Sequence, residues 1–221
     1  ATYTNNGGGG PFTATLTLAS PLTAGNYRLF ICGTTSIWSA VGLELNNGAF
    51  DTTINFTIQP NVLPDTGFRH GSVTVLPEQP TAKAYTATAM MLEIPKLGVS
   101  ASIVGVPQSG SEWDTTWLGD DVGYLEGSAF PTWAGNTVLT AHVWDSLNRP
   151  GPFVGIKQLL HGDQIKIHAW GLVYTYEVQH RKLVSPYATG AVFTHYDRDW
   201  LTLFTCEDYK YYWGDYSFRR V

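Results

Sequence analysis

Short runs of β-branched and apolar residues, each closed by glycine, asparagine or proline, follow one another along the chain and limit the folds open to it. Alternation of apolar and polar residues over so few positions indicates strands rather than helices. An abundance of Tyr, Trp, Phe and Gly also favours β-structure with turns. Only residues 153–160 predict a short helix. The sequence therefore predicts an all-β protein, with its main runs at residues 12–18, 27–32, 51–58, 92–95, 102–106, 136–142, 164–170, 172–178 and 201–206.

The density of charged residues divides the chain into two parts. Residues 1–82 carry six charged side chains, whereas residues 83–221 carry twenty-five. We expect residues 1–59 to form a β-rich segment that is part of a β-sandwich. Residues 84–221 are expected to form a closed or nearly closed β-barrel of about seven to eight strands with one or two short helices. Four prolines within residues 60–83 indicate a linker between the two parts.

Bulk properties exclude some classes of partner. The net charge of −5 offers no basic surface, so we exclude nucleic acid. No apolar run approaches the roughly 18 residues of a membrane span, and no apolar leader is present at the start of the sequence. Low charge together with many Thr, Asn and Gly residues is typical of a secreted protein. We therefore expect a processed extracellular protein at the cell surface, with a membrane anchor that is not visible in this sequence.

Cys206 ends an apolar run and is a candidate nucleophile. By default such a cysteine is a small buried residue, and pairing with Cys32 in a structural disulfide is a further alternative. A thiol becomes reactive when a base or a positive charge lies beside it. His142 ends a similar apolar run, and Arg219 and Arg220 follow Cys206 on a strand-like run.

Strand alternation limits the choice of arginine. Arg219 and Arg220 are adjacent, so their side chains would point to opposite faces and only one could face the cysteine. Periodicity alone does not choose between them. Among the other histidines, His195 lies in a polar loop and could line a cleft.

Motifs within residues 84–221 together resemble those of the sortases, the cysteine transpeptidases of bacterial surfaces. The run Thr202-Leu203-Phe204-Thr205-Cys206 is similar to their T-L-x-T-C motif, and residues 92–97 resemble their opening strand. His142, sixty-four residues before the cysteine, matches the family's histidine in spacing and context. An arginine thirteen residues after the cysteine also fits the family, which singles out Arg219. The resemblance implies a sortase-like β-barrel.

The resemblance also implies a role for each matching residue. Cys206 would attack the Thr–Gly carbonyl of a sorting signal and form a thioester. His142 would protonate the leaving amine and later deprotonate the incoming one. Arg219 would hold the substrate and stabilise the oxyanion. The further residues expected to bind substrate are Thr205, Ala141 and His195.

One family feature is missing from the sequence. Some sortases bind calcium through carboxylates shortly before the histidine, but residues 127–141 contain no Asp or Glu. We therefore expect no metal site and no cofactor. Residues 185–200 are expected to form one wall of the peptide groove. A calcium site of another arrangement is the alternative, but the residues that could form it are interpreted as part of a solvated loop: Asp114, Asp120, Asp121 and Glu126.

The linker itself contains a match to the family's substrate. Leu63, Pro64, Asp65, Thr66 and Gly67 fit L-P-x-T-G, the pentapeptide that many sortases cleave. About twenty residues separate Gly67 from the first barrel strand, and when extended they reach up to about 65 Å. We therefore predict a tethered substrate or pseudo-substrate that reaches its own groove or that of a second copy. The alternative is a proline turn in a linker.

Three functions remain open on the sequence. The first is a transpeptidase that joins surface proteins bearing L-P-x-T-G to an amine on the cell wall or on another protein, regulated by its own pentapeptide. The second is a cysteine peptidase that gives the same thioester to water. The third is a non-catalytic surface adhesin or binding module, which only residues 1–60 favour.

Overall fold

A computed structural model describes residues 2–4, 13–15, 18, 22, 25–32, 51–58, 60 and 62–221. Among these residues strands predominate, which confirms the all-β prediction. The helices they contain are 3₁₀ turns of three residues each, Thr81–Lys83, Pro95–Leu97, Ile156–Gln158 and Thr189–Ala191. No helix in this part of the chain has the length and apolarity needed to cross a membrane.

Two antiparallel pairs account for the described strands of residues 1–59. Strand β1 (Thr2–Thr4) pairs with β2 (Thr13–Thr15), and β3 (Gly25–Ile31) pairs with β4 (Thr52–Ile58). β2, β3 and β4 fall on the predicted runs at 12–18, 27–32 and 51–58, whereas β1 was not predicted. Residues 12, 16 and 17 of the first run lie outside the described residues. The β-sandwich and the division into domains therefore stay predictions.

The remaining strands form one large sheet and a small ribbon. The ribbon pairs β7 (Gln108–Ser109) with β8 (Glu112–Trp113). The members of the large sheet are β5 (Thr86–Ile94), β6 (Val99–Val106), β9 (Val122–Leu125), β10 (Gly135–Thr140), β11 (Gln164–Ala169), β12 (Leu172–Glu177), β13 (Leu183–Val184), β14 (Asp199–Lys210) and β15 (Asp215–Arg220). Their order in the sheet is β12-β11-β5-β6-β9-β10-β14-β15-β13.

The strand count and the helix differ in detail from the expectations. The sheet has nine strands rather than seven or eight, and within residues 62–221 no pairing joins its outer strands β12 and β13. The helix expected over residues 153–160 is only the 3₁₀ turn Ile156–Gln158. Glycines at positions 151 and 155 leave too few residues to offset the cost of starting an α-helix.

A parallel pair of strands lies inside the sheet. β10 pairs in parallel with β14, and all six residues of β10 are buried. Parallel strands are usually covered on both faces, which explains why the run at 136–142 is apolar or Thr-rich rather than alternating. The ends of these two strands carry the candidate catalytic residues.

Buried apolar side chains form two clusters. Neighbouring residues of β10 belong to different clusters, Leu139 to the first and Val138 to the second, so the clusters lie on opposite faces of the strand. The second cluster includes Leu63, which is only 1% exposed. A residue of the predicted linker is therefore part of the hydrophobic core.

Candidate active site

Three neighbouring strands bring Cys206, His142 and Arg219 together. β10 and β14 pair with a constant offset of 64 residues, and Thr140 lies opposite Phe204. His142, two residues beyond β10, continues this register toward Cys206. On the other side of β14, strand β15 runs antiparallel with Arg219 opposite Cys206. The sixty-four-residue spacing noted in the sequence is thus the offset of the parallel pair.

The two adjacent arginines have different surroundings. Arg219 is 1% exposed and belongs to the site. The Arg220 guanidinium makes two hydrogen bonds to the Glu207 carboxylate, at 2.6 and 2.9 Å. Strand register therefore makes the choice that sequence alternation left open, in favour of Arg219.

The Arg219 guanidinium is buried but well partnered. Its Nε–H donates to the Pro64 carbonyl at 3.2 Å, and Nη2 pairs with the Asp65 carboxylate. Nη1 donates to the carbonyls of Tyr216 and Phe218 at 3.4 and 3.3 Å. A buried charge needs such partners to offset its lost hydration. Two of these four partners come from the linker, so that segment supplies half of the contacts that hold the guanidinium.

Cys206 is a buried free thiol, so the alternative of a disulfide to Cys32 is not realised. Its Sγ accepts a hydrogen bond from the Thr66 N–H at 3.2 Å, and its own N–H donates to Thr66 Oγ1 at 2.9 Å. Burial is the main cause that raises the pKa of the thiol, to about 11, although Arg219 acts to lower it. The sulfur is therefore protonated at neutral pH in this arrangement.

The His142 imidazole is buried beside the linker. Its ring centroid lies 5.2 Å from that of Phe68. Neither ring nitrogen makes a hydrogen bond of good geometry to another described residue, although the backbone of Thr66 lies close enough to act on the ring. Burial lowers the pKa of His142 and outweighs the nearby backbone groups and the charge of Asp145, which raise it. Thiol and imidazole are thus both uncharged at neutral pH.

Two threonines fix the ends of the parallel strands. Thr205 Oγ1 donates to the Ala141 carbonyl at 2.7 Å, and Thr140 Oγ1 donates to the Phe204 carbonyl at 2.9 Å. Thr205 Oγ1 also lies 3.3 Å from Thr66 Oγ1. Thr205 and Ala141 therefore hold the strand ends that carry the cysteine and the histidine.

The pentapeptide segment, residues 63–67, lies across these strand ends. Its entry is fixed by a hydrogen bond from the Leu63 N–H to the Pro186 carbonyl at 2.7 Å. The Leu63 side chain belongs to the core cluster that includes Val192 and Phe193. Residues 185–200 thus contribute to one wall of the groove, at the end where the leucine is buried.

The middle of the pentapeptide segment is held through its backbone. Thr115 Oγ1 donates to the Asp65 carbonyl, and the Val143 N–H donates to the Thr66 carbonyl at 2.8 Å. Position 67 is tightly packed: a Cβ added there would lie 2.5 Å from Val143 Cγ1. Only glycine fits this position without a shift of its neighbours.

Residues after Gly67 continue along the loop that follows His142. The Phe68 N–H donates to the Trp144 carbonyl at 2.9 Å, and the Tyr216 hydroxyl donates to the Phe68 carbonyl at 2.8 Å. The His70 ring lies 4.0 Å from the Trp144 ring. The Thr74 N–H donates to a carbonyl of the same loop at 2.7 Å. The linker is thus bound on both sides of the Thr66–Gly67 bond.

Other candidate residues lie elsewhere. His195 packs beside Gly135, at the far end of β10 from His142 and on the order of 20 Å away along the strand. Asp114 pairs with Lys83, and Asp120 lies 3.5 Å from Arg149. In the described part of the chain no three His, Cys, Asp or Glu side chains form a group that could hold a metal ion. The absence of a cofactor stays a prediction.

Sequence reasoning missed two groups that bind the pentapeptide segment, the Val143 N–H and the Thr115 side chain. The carbonyl oxygen of Thr66 accepts from the Val143 N–H, whereas Arg219, expected at the oxyanion, contacts Pro64 and Asp65. A backbone N–H leaves no signal in a sequence, because every residue except proline has one. Thr115 likewise had no motif to mark it.

The fold brings a buried thiol, an imidazole and a guanidinium to neighbouring strand ends of an all-β scaffold, an arrangement suited to cysteine-dependent acyl transfer. Residues 92–221, more than half of the chain, match a family model described as the sortase domain. The chain therefore belongs to the sortase family and is a sortase-type cysteine transpeptidase. No curated protein sequence matches it.

Solved sortase structures are similar to the chain. A lid mutant of sortase A from Corynebacterium diphtheriae is 25% identical, with 64% of this chain and 70% of that one covered and a TM-score of 0.51. Sortase C-1 from Actinomyces oris is 28% identical, with 59% and 68% covered and a TM-score of 0.49. Sortase C from Clostridium perfringens, solved with the C-terminal cell wall sorting motif, is 26% identical, with 59% and 65% covered and a TM-score of 0.48.

Proposed function

We propose that this sortase cleaves an L-P-x-T-G sorting signal between Thr and Gly and joins the new carboxyl end to an amine. One observation carries the proposal: a pentapeptide of that pattern, in the chain itself, contacts Cys206 and Arg219 through its Thr66 and Pro64 positions. The contacts explain the pattern. The leucine fills an apolar pocket, the proline carbonyl meets Arg219, and only glycine fits the position after the scissile bond.

The proposed reaction uses groups of the protein alone. The Cys206 sulfur attacks the threonine carbonyl, the carbon–nitrogen bond to glycine breaks, and a thioester forms. The thiol proton passes through His142 to the leaving amine. The Val143 N–H, already on that carbonyl oxygen, is positioned to stabilise the oxyanion. An acceptor amine then reverses these roles and releases Cys206, so no metal or cofactor is required.

The proposed partners are surface proteins bearing the signal and an amine on the cell wall or on another protein. A cleft of about 300 Å³ beside Cys206, lined by Trp144 and Glu207 among others, gives such an amine a route to the thioester. This assignment carries with it an extracellular, cell-surface location. Nucleic acid is not a proposed partner, in keeping with a net charge of −5.

We further propose that the pentapeptide segment regulates the enzyme by occupying the groove. Thr66 is hydrogen-bonded to Cys206, which has 0% exposure, and Asp65 pairs with Arg219. An uncharged thiol beside an uncharged imidazole is a resting state. External signals would react only after the segment leaves, because both would use the same leucine pocket and the same guanidinium.

A ligation assay tests the transpeptidase proposal. The Leu63→Asp variant is incubated with a fluorescent L-P-x-T-G peptide, with and without triglycine, because an aspartate in the apolar pocket should free the groove. We expect an amine-dependent ligated product, and none from Leu63→Asp combined with Cys206→Ala. Cleavage at the same rate without amine would show a peptidase instead. No product, with Cys206 unreactive toward a thiol probe, would reject both enzymes and leave a binding module.

A further inference from the structure

The linker is held on both sides of the bond between Thr66 and Gly67. On the acyl side, Leu63 is buried and its N–H is bonded to Pro186. On the amine side, Phe68 is bonded to Trp144 and Tyr216. A segment that only blocked Cys206 would need no contacts made by residues after Gly67.

The contacts beyond Gly67 extend well past the active site. The Gly71 N–H donates to Asn148 Oδ1 at 2.7 Å, and the Thr74 N–H donates to the Ser146 carbonyl at 2.7 Å. The Arg69 guanidinium lies over the Tyr211 ring, 5.7 Å from its centroid. Chain continuity from there to β5 adds a covalent tether. If the Thr66–Gly67 bond breaks, the new amine of Gly67 therefore stays at the site.

Such retention has a kinetic consequence. A tethered amine has an effective concentration of about 1 mM or more, and correct orientation raises its reactivity further. It would attack the thioester again before it could diffuse away. The peptide bond would re-form, and the intact chain would dominate at equilibrium because an amide is more stable than a thioester.

We propose that the chain is its own substrate. Residues 1–66 are transferred reversibly to the Cys206 sulfur, and the amine of Gly67 stays at the site and attacks the thioester in the reverse step. This inference rests on the proposed function of the same site. In the forward step the Sγ–carbon bond forms, the carbon–nitrogen bond to Gly67 breaks, and the thiol proton ends on the Gly67 amine through His142. In the reverse step the Gly67 amine attacks the thioester carbonyl, the carbon–sulfur bond breaks, and the proton returns to the sulfur through His142.

The proposal assigns an activity to the N-terminal part of the chain. An external amine that reaches the thioester before Gly67 does would capture residues 1–66 in a new amide. The other product is residues 67–221 with a free N-terminal glycine and an unmodified Cys206. The enzyme would thus attach its own N-terminal part to an acceptor amine and leave the groove without its pentapeptide.

Intact-mass spectrometry of the full chain tests this proposal. The protein is incubated with a large excess of triglycine over the effective concentration of Gly67. We expect two products, residues 1–66 extended by triglycine and residues 67–221, and neither product from the Cys206→Ala variant. Without triglycine the mass should stay that of the intact chain. Fragments that end in a free carboxyl at Thr66 in the absence of amine would overturn the retention of Gly67.

A matched pair of variants tests the retention itself. Thr74→Pro removes the N–H that binds the Ser146 carbonyl, and loss of one such contact should speed capture by triglycine about fivefold. Val75→Ala, whose side chain is 91% exposed, should leave the rate unchanged. Equal capture rates for both variants would overturn the role of these contacts. Thermal melting of each variant establishes that it is folded.

The two proposals fail in distinguishable ways. If Leu63→Asp ligates the external peptide while the wild-type chain is never captured, the self-acylation proposal is overturned and the proposed function stands. If neither reaction occurs, both are overturned. If the chain is captured at Thr66, the external reaction is the same chemistry with the substrate supplied by another protein.

Discussion

Single side chains decide the charge state of the site. Arg219 is the only described cation that contacts the pentapeptide segment, and its buried fork faces a carbonyl and a carboxylate at once. Arg220, one residue on, points away to Glu207. The two arginines carry the same charge and differ only in the direction in which their side chains point, so a comparison of the two isolates the effect of direction.

Replacing the buried arginine should cost activity. In Arg219→Lys the charge stays, but the planar guanidinium that binds the proline carbonyl and a neighbouring acceptor at the same time is lost. We expect kcat/KM for an external L-P-x-T-G peptide to fall about 100-fold, measured in the Leu63→Asp background. Arg220→Lys serves as the control and should change kcat/KM less than about threefold. Equal losses in both variants would contradict the assignment of Arg219.

The ionisation of Cys206 should depend on Asp65. The pKa of the thiol is raised to about 11, mainly by burial, and the charge of Asp65 contributes to that rise. Asp65→Asn removes that charge and frees Arg219, so both effects lower the pKa. We expect the midpoint of the pH profile for iodoacetamide labelling to move toward neutral pH. Asp197→Asn, at an exposed residue away from the site, should keep the wild-type midpoint.

At the level of secondary structure, the parallel pair β10 and β14 directs the chain toward Cys206, and the loop after β10 holds His142 there. β10 ends at Thr140, so His142 is held by the loop that follows rather than by the sheet. That loop folds back on itself, with the Phe153 N–H on the His142 carbonyl at 3.2 Å. Gly151 makes the closest approach, since a Cβ there would lie 2.1 Å from the same carbonyl oxygen.

A methyl group at this crossing should disturb catalysis. Gly151→Ala forces the His142 backbone to move, and a displacement of about 1 Å in a catalytic group can cost about 100-fold in rate. We expect kcat to fall by about that factor in single-turnover assays with external peptide. Gly155→Ala is the matched control, because its Cβ would meet only the ends of two flexible side chains, Leu97 at 3.3 Å and Gln158 at 3.7 Å. Normal turnover by Gly151→Ala would contradict this account.

At the scale of the whole molecule, the pentapeptide segment is both a core element and a ligand. Leu63 belongs to the same buried cluster as Val138 of β10 and Phe204 of β14. Removing it from the groove therefore exposes part of the hydrophobic core. A peptide that replaces it should restore the lost stability, as any ligand of the native state does.

Denaturation of a variant pair measures this coupling. In the inactive Cys206→Ala background, Leu63→Asp should lower the free energy of unfolding by about 3 kcal/mol, because a buried leucine is replaced by a charge. Val62→Asp, at a half-exposed neighbour, should change it by less than about 0.5 kcal/mol. Added L-P-x-T-G peptide should raise the midpoint of Leu63→Asp only. A rise in both variants would argue against a shared pocket.

Local patterns in the chain determined the all-β class, most of the strands and the family. Alternation and turn residues act over a few positions, and a T-L-x-T-C run with a histidine sixty-four residues earlier is a local and specific signal. The same reasoning found the pentapeptide and predicted that it reaches a groove of this chain or of a second copy, but it did not choose between the two. The prediction of a linker did not include the burial of Leu63 in the core, because a proline-rich stretch with few apolar residues does not indicate a buried segment.

Tertiary structure alone decided which residues meet. The parallel register of β10 and β14 brings His142 toward Cys206, and the antiparallel register of β15 selects Arg219 over Arg220. It also separates His195 from the site and supplies the Val143 N–H to the carbonyl of Thr66. Side-chain chemistry is written in the sequence, whereas register, burial and backbone donors arise only when distant strands pair. That is the physical reason why the sequence identified Cys206 only as a candidate nucleophile, and why only the fold shows that the chain's own Thr66 contacts it.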